Sequence, residues 1–175
     1  MIVLTSERLV CTPLVEEDWP FFLALQQHPQ VMRFVADERS KSEIRAAFES
    51  RLPHWSPGDE HWLCLAVRDT DNQTLGVTGY IHRERDCAEV GFLFAPEAQG
   101  KGYGYESLRA VCDYAFSEGG IRRLTATVTA GNIASRRTLE KAGFRLEGEL
   151  RESYALAGCW RNDWLFGLLS HEYNR

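Results

Sequence analysis

The sequence predicts a mixed α/β fold of the α+β kind, a central sheet of about seven strands flanked by about four helices. Three observations carry this. Strand-like runs recur along the whole chain. Apolar residues at helical spacing interrupt them. Two short polar turns join successive strands directly, which an all-parallel sheet does not allow.

Taken in order, residues 7–14 form the first strand, ended by Pro13 and the acidic triplet Glu16, Glu17 and Asp18. Phe21, Phe22 and Leu25, then apolar positions from 44 to 52, predict two helices separated by an irregular segment. Pro53, Pro57 and Gly58 make residues 52–60 a loop. Strands at 62–67 and 75–82 are joined through Asp69-Thr70-Asp71-Asn72-Gln73. A second hairpin turns at Glu84-Arg85-Asp86 into a strand over 88–94. After the glycine-rich turn Gln99-Gly100-Lys101-Gly102-Tyr103-Gly104, a helix places Leu108, Val111, Cys112, Ala115 and Phe116 at helical spacing, and Gly119-Gly120 stops it. A β-branched strand over 124–129, a helix over 132–141 and two strands broken at Ala157-Gly158 complete the order β-α-α-β-β-β-α-β-α-β-β.

With 175 residues and no linker, repeat or low-complexity tract, residues 1–175 are expected to form one domain. A net charge of -5 argues against broad binding to nucleic acid or to an anionic membrane. No apolar run approaches the roughly 20 residues of a membrane span. The first ten residues lack a signal-peptide layout, so a cytoplasmic location is expected. The five cysteines are scattered without a CxxC pair, which indicates neither a disulfide framework nor a zinc knuckle. No metal is expected, although His54 and His61 flank a Pro-Gly loop.

A strand, a glycine-rich turn and a helix start make an anion cradle, because glycines admit close approach and free amides at the helix start face the charge. This one is not a Walker A loop, since no Gly-Lys-Ser/Thr closes it. It is not a dinucleotide fingerprint either, since hairpins rather than a βαβ unit precede it. By itself it reads equally as a turn that only starts a helix. About thirty residues on comes Asn132-Ile133-Ala134-Ser135, then Gly143-Phe144. Asn132 is a good N-cap, Ser135 sits at the third helical position, and Gly143 ends the helix.

Together the two segments resemble the GNAT acetyltransferase superfamily, and within it the RimJ/RimL type of N-acetyltransferase. Ser6-Glu7-Arg8-Leu9, the strand Glu89-Val90-Gly91-Phe92 and the tail Glu147-Gly148-Glu149-Leu150-Arg151-Glu152 fit the same pattern. The resemblance covers nearly the whole chain and is weakest over residues 28–60. It implies the GNAT fold and an acetyl-CoA-dependent transfer of an acetyl group to an amine. The backbone amides of residues 100–105, after Gln99, are then expected to grip the pyrophosphate, with Gly100, Lys101, Gly102, Tyr103, Gly104 and Tyr105 forming the cradle. Phe92, Leu93 and Phe94 pair with the pantetheine arm like an added strand, and Asn132 meets it from the opposite side. Lys101 and Arg137 either reach the ribose phosphate or remain solvated.

An α-amine with a pKa near 7.8 is roughly a third free at pH 7.5, whereas a lysine near 10.4 is about one part in a thousand free. The departing thiol has an intrinsic pKa near 8.5 and needs modest help. Many GNAT enzymes supply a tyrosine from the Asn-bearing helix; the matching position here is Leu139. The serine of RimJ/RimL-type proteins matches Ser135, one turn from Asn132 on the same face, which hydrogen-bonds the leaving sulfur or positions the cofactor. Where some relatives carry a glutamate, this chain has Tyr154. Glu89 and Glu152 are then the candidate carboxylates, and a water relay to Glu89 is the expected base.

Acceptor specificity is expected from residues 28–62. Phe34, Trp55, His61 and Trp62 stand beside Glu38, Glu43, Asp59 and Glu60. Either these carboxylates meet a cationic amine between aromatic walls, or the aromatics cap the core and the carboxylates face water. Trp160 and Trp164 add a wall or a dimer contact. The expected partner is an amine, on a protein N-terminus or a small molecule, with the chain a monomer or homodimer. A sensor that binds acyl-CoA without turnover is the alternative class.

Overall fold

A computed structural model describes residues 1–174. Where one strand is expected at the start there are two, β1 (Leu4–Thr5) and β2 (Val10–Pro13), paired antiparallel. The Ser6 amide donates to the Leu9 carbonyl at 3.0 Å and closes a turn between them. The extra strand raises the sheet to eight strands.

The two expected helices are α1 (Trp19–Gln27) and, after a single-turn α2 (Pro29–Met32), α3 (Lys41–Glu49). Ser40 caps α3, its hydroxyl accepting from the Glu43 amide at 3.2 Å. Pro29 opens α2, and His28 Nδ1 accepts from the Gln30 amide at 3.2 Å. Phe22 of α1 packs on Phe48 of α3 with ring centroids 5.2 Å apart.

The meander β3 (Leu63–Arg68), β4 (Thr74–Glu84) and β5 (Cys87–Phe94) is antiparallel throughout. Its first turn is an Asx turn, Asp69 Oδ1 accepting from Asp71 N at 3.0 Å and Gln73 N at 2.9 Å. β3 is buried on both faces. Leu63, Leu65 and Val67 enter one core with α4 (Tyr103–Ser117), while Cys64 and Ala66 enter the other with α1 and α3. Beyond α4 come β6 (Arg123–Thr129), α5 (Ile133–Lys141), β7 (Arg145–Leu156) and β8 (Cys159–Leu169). The tight β7–β8 turn uses two left-handed residues, Ala157 at φ 53° and Gly158 at φ 73°.

The sheet runs β1-β2-β3-β4-β5-β6-β8-β7. Its one parallel junction, β5 with β6, is paired only at Cys87–Arg123, Ala88–Leu124 and Glu89–Thr125. From Val90 to Phe94, β5 keeps its pairing to β4 and none to β6. The sheet therefore opens into a wedge, with the backbone of β5 free along one side.

Candidate active site

Two cavities meet at the wedge, and both are lined by Phe34, Val35, Phe92, Leu93, Asn132 and Ser135. The first, of about 550 Å³, ends at the glycine-rich turn. Gly100 (φ 74°) and Gly102 (φ 82°) are left-handed, and Gly102 caps α4 without a side-chain hydrogen bond. The first amides of a fifteen-residue helix are thus left facing outward with its positive dipole end. The Gln99 side-chain amide donates to the Phe94 carbonyl at 3.0 Å and fixes the turn against β5. Gln99, Gly100, Gly102, Tyr103, Gly104 and Tyr105 all line this cavity, as does Arg137. Lys101 does not line it; its side chain is exposed.

What sequence reasoning missed is the rest of α5. Ala134, Thr138 and Lys141 join the expected Arg137 in lining the cavity, at the i, i+3, i+4, i+7 spacing of one helical face. Lys141 also sits over the Tyr105 ring at 4.2 Å. That spacing was present in the sequence and is the signal that locates Lys141. With Arg33 from the far wall, three cations and no carboxylate line this cavity. The cradle's position is held from behind. Glu106, in the first turn of α4, accepts from Ser6 Oγ at 2.7 Å, Arg8 N at 2.8 Å and Arg8 Nε at 2.7 Å. Ser6 and Arg8 of the Ser6-Glu7-Arg8-Leu9 motif therefore brace the helix start behind the glycine-rich turn. Burial pushes the Glu106 carboxyl up, but the Ser6 and Arg8 hydrogen bonds outweigh it and hold it below its ordinary value.

The second cavity, of about 610 Å³, lies on the α1–α3 side. Glu89 lines it with both oxygens engaged: Arg83 donates to one, and Thr127 Oγ1 donates to the other at 3.2 Å. Glu152, by contrast, sits on an exposed β7 bulge at φ 48° and lines neither cavity. Tyr154 lines the second cavity and donates to the Val35 carbonyl at 2.6 Å, tying β7 across the wedge to the α2–α3 connection. Burial pushes the Cys64 thiol up to about 11, so this lining cysteine is a neutral wall at pH 7.

At the junction, Asn132 Oδ1 caps α5, accepting from Ser135 N at 3.3 Å. Among the described residues, neither the Asn132 side-chain nitrogen nor the Ser135 hydroxyl has a hydrogen-bond partner. Leu139, 1% exposed, closes the floor where a phenol would otherwise stand.

Of the segment expected to select the acceptor, Phe34, Val35, Ala36, Arg39, Arg51 and Trp62 reach the cavity. Trp55 packs edge-on against Tyr80 in the opposite core, and His61 meets the Pro53 carbonyl. Asp59 caps a turn at Ser56 N, Glu43 accepts from Ser40, and Glu38 and Glu60 are exposed. None of these carboxylates lines either cavity. Trp164 donates to Glu149 under the Arg136 guanidinium, and Trp160 is 65% exposed; neither forms a wall. Among the described residues no cluster of three or more His, Cys, Asp or Glu could hold a metal ion, and no helix is long and apolar enough to cross a membrane.

Residues 8–145 match the family described as Acetyltransferase (GNAT) domain. The chain is 26% identical over 172 residues to the uncharacterized N-acetyltransferase YnaD of Bacillus subtilis, covering 98% of this chain and 99% of that one. It is 25% identical over 168 residues to the spermidine N(1)-acetyltransferase of Escherichia coli, covering 92% and 86%. Among solved structures, a GNAT-family acetyltransferase from Bacillus anthracis superposes with a TM-score of 0.85 at 23% identity, covering 98% of this chain and 100% of that one. A spermidine N-acetyltransferase from Vibrio cholerae, solved with CoA and spermine, superposes at 0.84 with 22% identity, covering 96% and 99%.

Proposed function

This chain belongs to the GNAT acetyltransferase family, and on that footing we propose that it acetylates the α-amine of a protein or peptide from acetyl-CoA, with donor and acceptor bound together. The observation that carries the reading is the meeting of two cavities at Asn132 and Ser135, one of them lined by cations alone among charged groups. Residues 1–175 act as a single domain in this reading.

Acetyl-CoA supplies the acyl group as a thioester. The amides of residues 100–105 would hold its pyrophosphate, with Gln99 fixing their turn. Arg137, joined by Lys141, would meet its remaining phosphate. The free edge at Phe92, Leu93 and Phe94 would pair with the amide-bearing arm, with Asn132 opposite. The Ser135 hydroxyl, unpartnered within the described chain, is free to donate to the departing sulfur. Glu89 takes the amine proton through a water, its carboxylate oriented by Arg83 and Thr127. A relay of this kind suits an α-amine, already partly unprotonated at pH 7.5, better than a lysine.

The RimJ/RimL likeness of the motifs supports a polypeptide N-terminus as acceptor. A polyamine is the second reading, favoured by relatives that are spermidine N-acetyltransferases. The test is thiol release from acetyl-CoA with a panel of peptides and polyamines. Ser135→Ala should lower turnover and leave acetyl-CoA affinity nearly intact. Tight acetyl-CoA binding with no thiol released by any amine would sink the enzymatic reading.

A further inference from the structure

The acceptor cavity contains positive charge that the chain does not neutralise. Arg39, Arg51 and Arg83 line it against Glu89 and Asp163. Arg83 and Glu89 form an ion pair with each other, and Asp163 accepts from Ser153 Oγ at 3.1 Å. Among the described residues, neither Arg39 nor Arg51 has a carboxylate within ion-pair distance. Arg39 donates to the Gln26 side-chain oxygen, a neutral acceptor. Arg51 follows the end of α3 and donates through Nη1 to the Ala47 carbonyl at 2.8 Å. That bond accounts for a helix-capping role but uses one nitrogen of the guanidinium. Nε and Nη2 have no oxygen acceptor among the described residues, and the group lies 5.8 Å from the ring centroids of both Phe22 and Trp62. Burial, with the like charge of Arg39 adding to it, holds Arg51 below the ordinary arginine value.

A half-buried cation without a counter-ion is costly unless something binds there. Guanidinium forks match planar and tetrahedral oxyanions, and an aromatic wall beside them excludes water.

We propose that Arg51, with Arg39, forms an oxyanion subsite, so that the accepted amine carries a carboxylate or phosphate group at its far end. This rests on the acetyl-transfer reading for the amine end. It sets this chain apart from enzymes that accept polyamines, which would bring further positive charge to the two unpaired arginines.

The test uses the full chain and acetyl-CoA with matched acceptors: alanyl-glutamate against alanyl-glutamine, β-alanine against its amide, 2-aminoethylphosphonate, and spermidine. The acid of at least one pair should exceed its amide in kcat/KM by about tenfold or more, consistent with one charge-assisted contact. Arg51→Gln should bring that ratio toward one, Arg51→Lys should leave it intermediate, and Arg39→Gln should lower it less. The phosphonate arm tells tetrahedral from planar recognition. Independently of turnover, 10 mM succinate should raise Tm by roughly 2 °C or more over succinamide, and Arg51→Gln should abolish the difference. Acid-to-amide ratios of one or below in every pair, spermidine preferred to every acid, or a ratio untouched by both arginine variants would overturn the subsite. If no amine releases thiol, the acetyl-transfer reading falls and the succinate melt alone decides the subsite.

Discussion

Asn132 serves the fold and the site through different atoms, so two substitutions can separate its roles. Its Oδ1 caps α5 by accepting from Ser135 N at 3.3 Å, its side-chain nitrogen has no partner in the described chain, and the residue lines both cavities. Asn132→Ala removes both atoms. The lost cap costs about 1 kcal/mol, which in a chain of this length lowers Tm by roughly 2–4 °C. Asn132→Asp keeps an accepting oxygen at the N-terminus of α5, where Asp caps as well as Asn, so its Tm should stay within about 1 °C of the parent. It still deletes the donor, and it adds a negative charge to a cavity whose charged lining is Arg33, Arg137 and Lys141. One neutral hydrogen bond lost to the ligand corresponds to about 0.5–1.5 kcal/mol, or roughly threefold to tenfold in acetyl-CoA affinity. The aspartate should lose more than the alanine, because it also repels phosphates. Thermal melts by circular dichroism and calorimetric titration of acetyl-CoA measure the two effects apart. If Asn132→Asp melted like Asn132→Ala, the cap would not be the stabilising contact. If it bound acetyl-CoA as tightly as the parent, the amide would not face the donor.

The braced cradle should respond to pH. The Glu106 carboxyl is held below its ordinary value of 4.5 in the folded state. The stability it contributes is therefore complete above that value and lost as pH falls through the folded one. Glu106→Gln should melt lower than the parent at pH 7, with the gap closing below about pH 4; a gap independent of pH would remove the charge argument. Arg137→Gln with Lys141→Gln should weaken acetyl-CoA binding by about tenfold at 0.1 M salt and far less at 1 M, where the screening length falls from about 10 to 3 Å. An equal loss at both salts would mean that these side chains act by packing. Gly102→Ala adds a side chain at φ 82° with its Cβ 3.3 Å from Arg8 Nη2. The left-handed strain of about 1–2 kcal/mol should lower Tm by several degrees and loosen acetyl-CoA binding together. A variant as stable as the parent would show that the turn relaxes freely.

What could be read along the chain was whatever the backbone decides locally. The hairpins around Asp69–Gln73 and Ala157–Gly158, the left-handed glycines of the cradle and the Asn132 cap are demands made within a few residues, and each stands where the pattern puts it. The early turn between β1 and β2 is held by Glu106, 98 residues beyond Arg8, so no local alternation announces it. α2 is four residues long, a single turn with too few positions to register a helical period. Lys101 and Lys141 differ in the same way. Proximity in sequence recommends Lys101, but the rotation of α5 about Asn132 and Ser135 is what brings Lys141 to the cavity.

The acceptor end was illegible for a reason that net charge makes plain. Over residues 28–62 carboxylates and arginines alternate closely, and composition cannot say which sign turns inward. Capping consumes the acids: Glu43 answers Ser40, and Asp59 answers Ser56. Arg39 and Arg51 are left to face the wedge. A chain of net charge -5 thus places five cations without an ion pair among the described residues along one seam, Arg33, Arg137 and Lys141 in one cavity and Arg39 and Arg51 in the other. Such a local field draws an anionic ligand to the wedge. The donor's phosphates satisfy one side of that field. If the proposed subsite holds, an amine with an oxyanion at its far end would answer the other side better than a polyamine, and it would bring its neutral nitrogen toward Ser135 as its charge docks on Arg51.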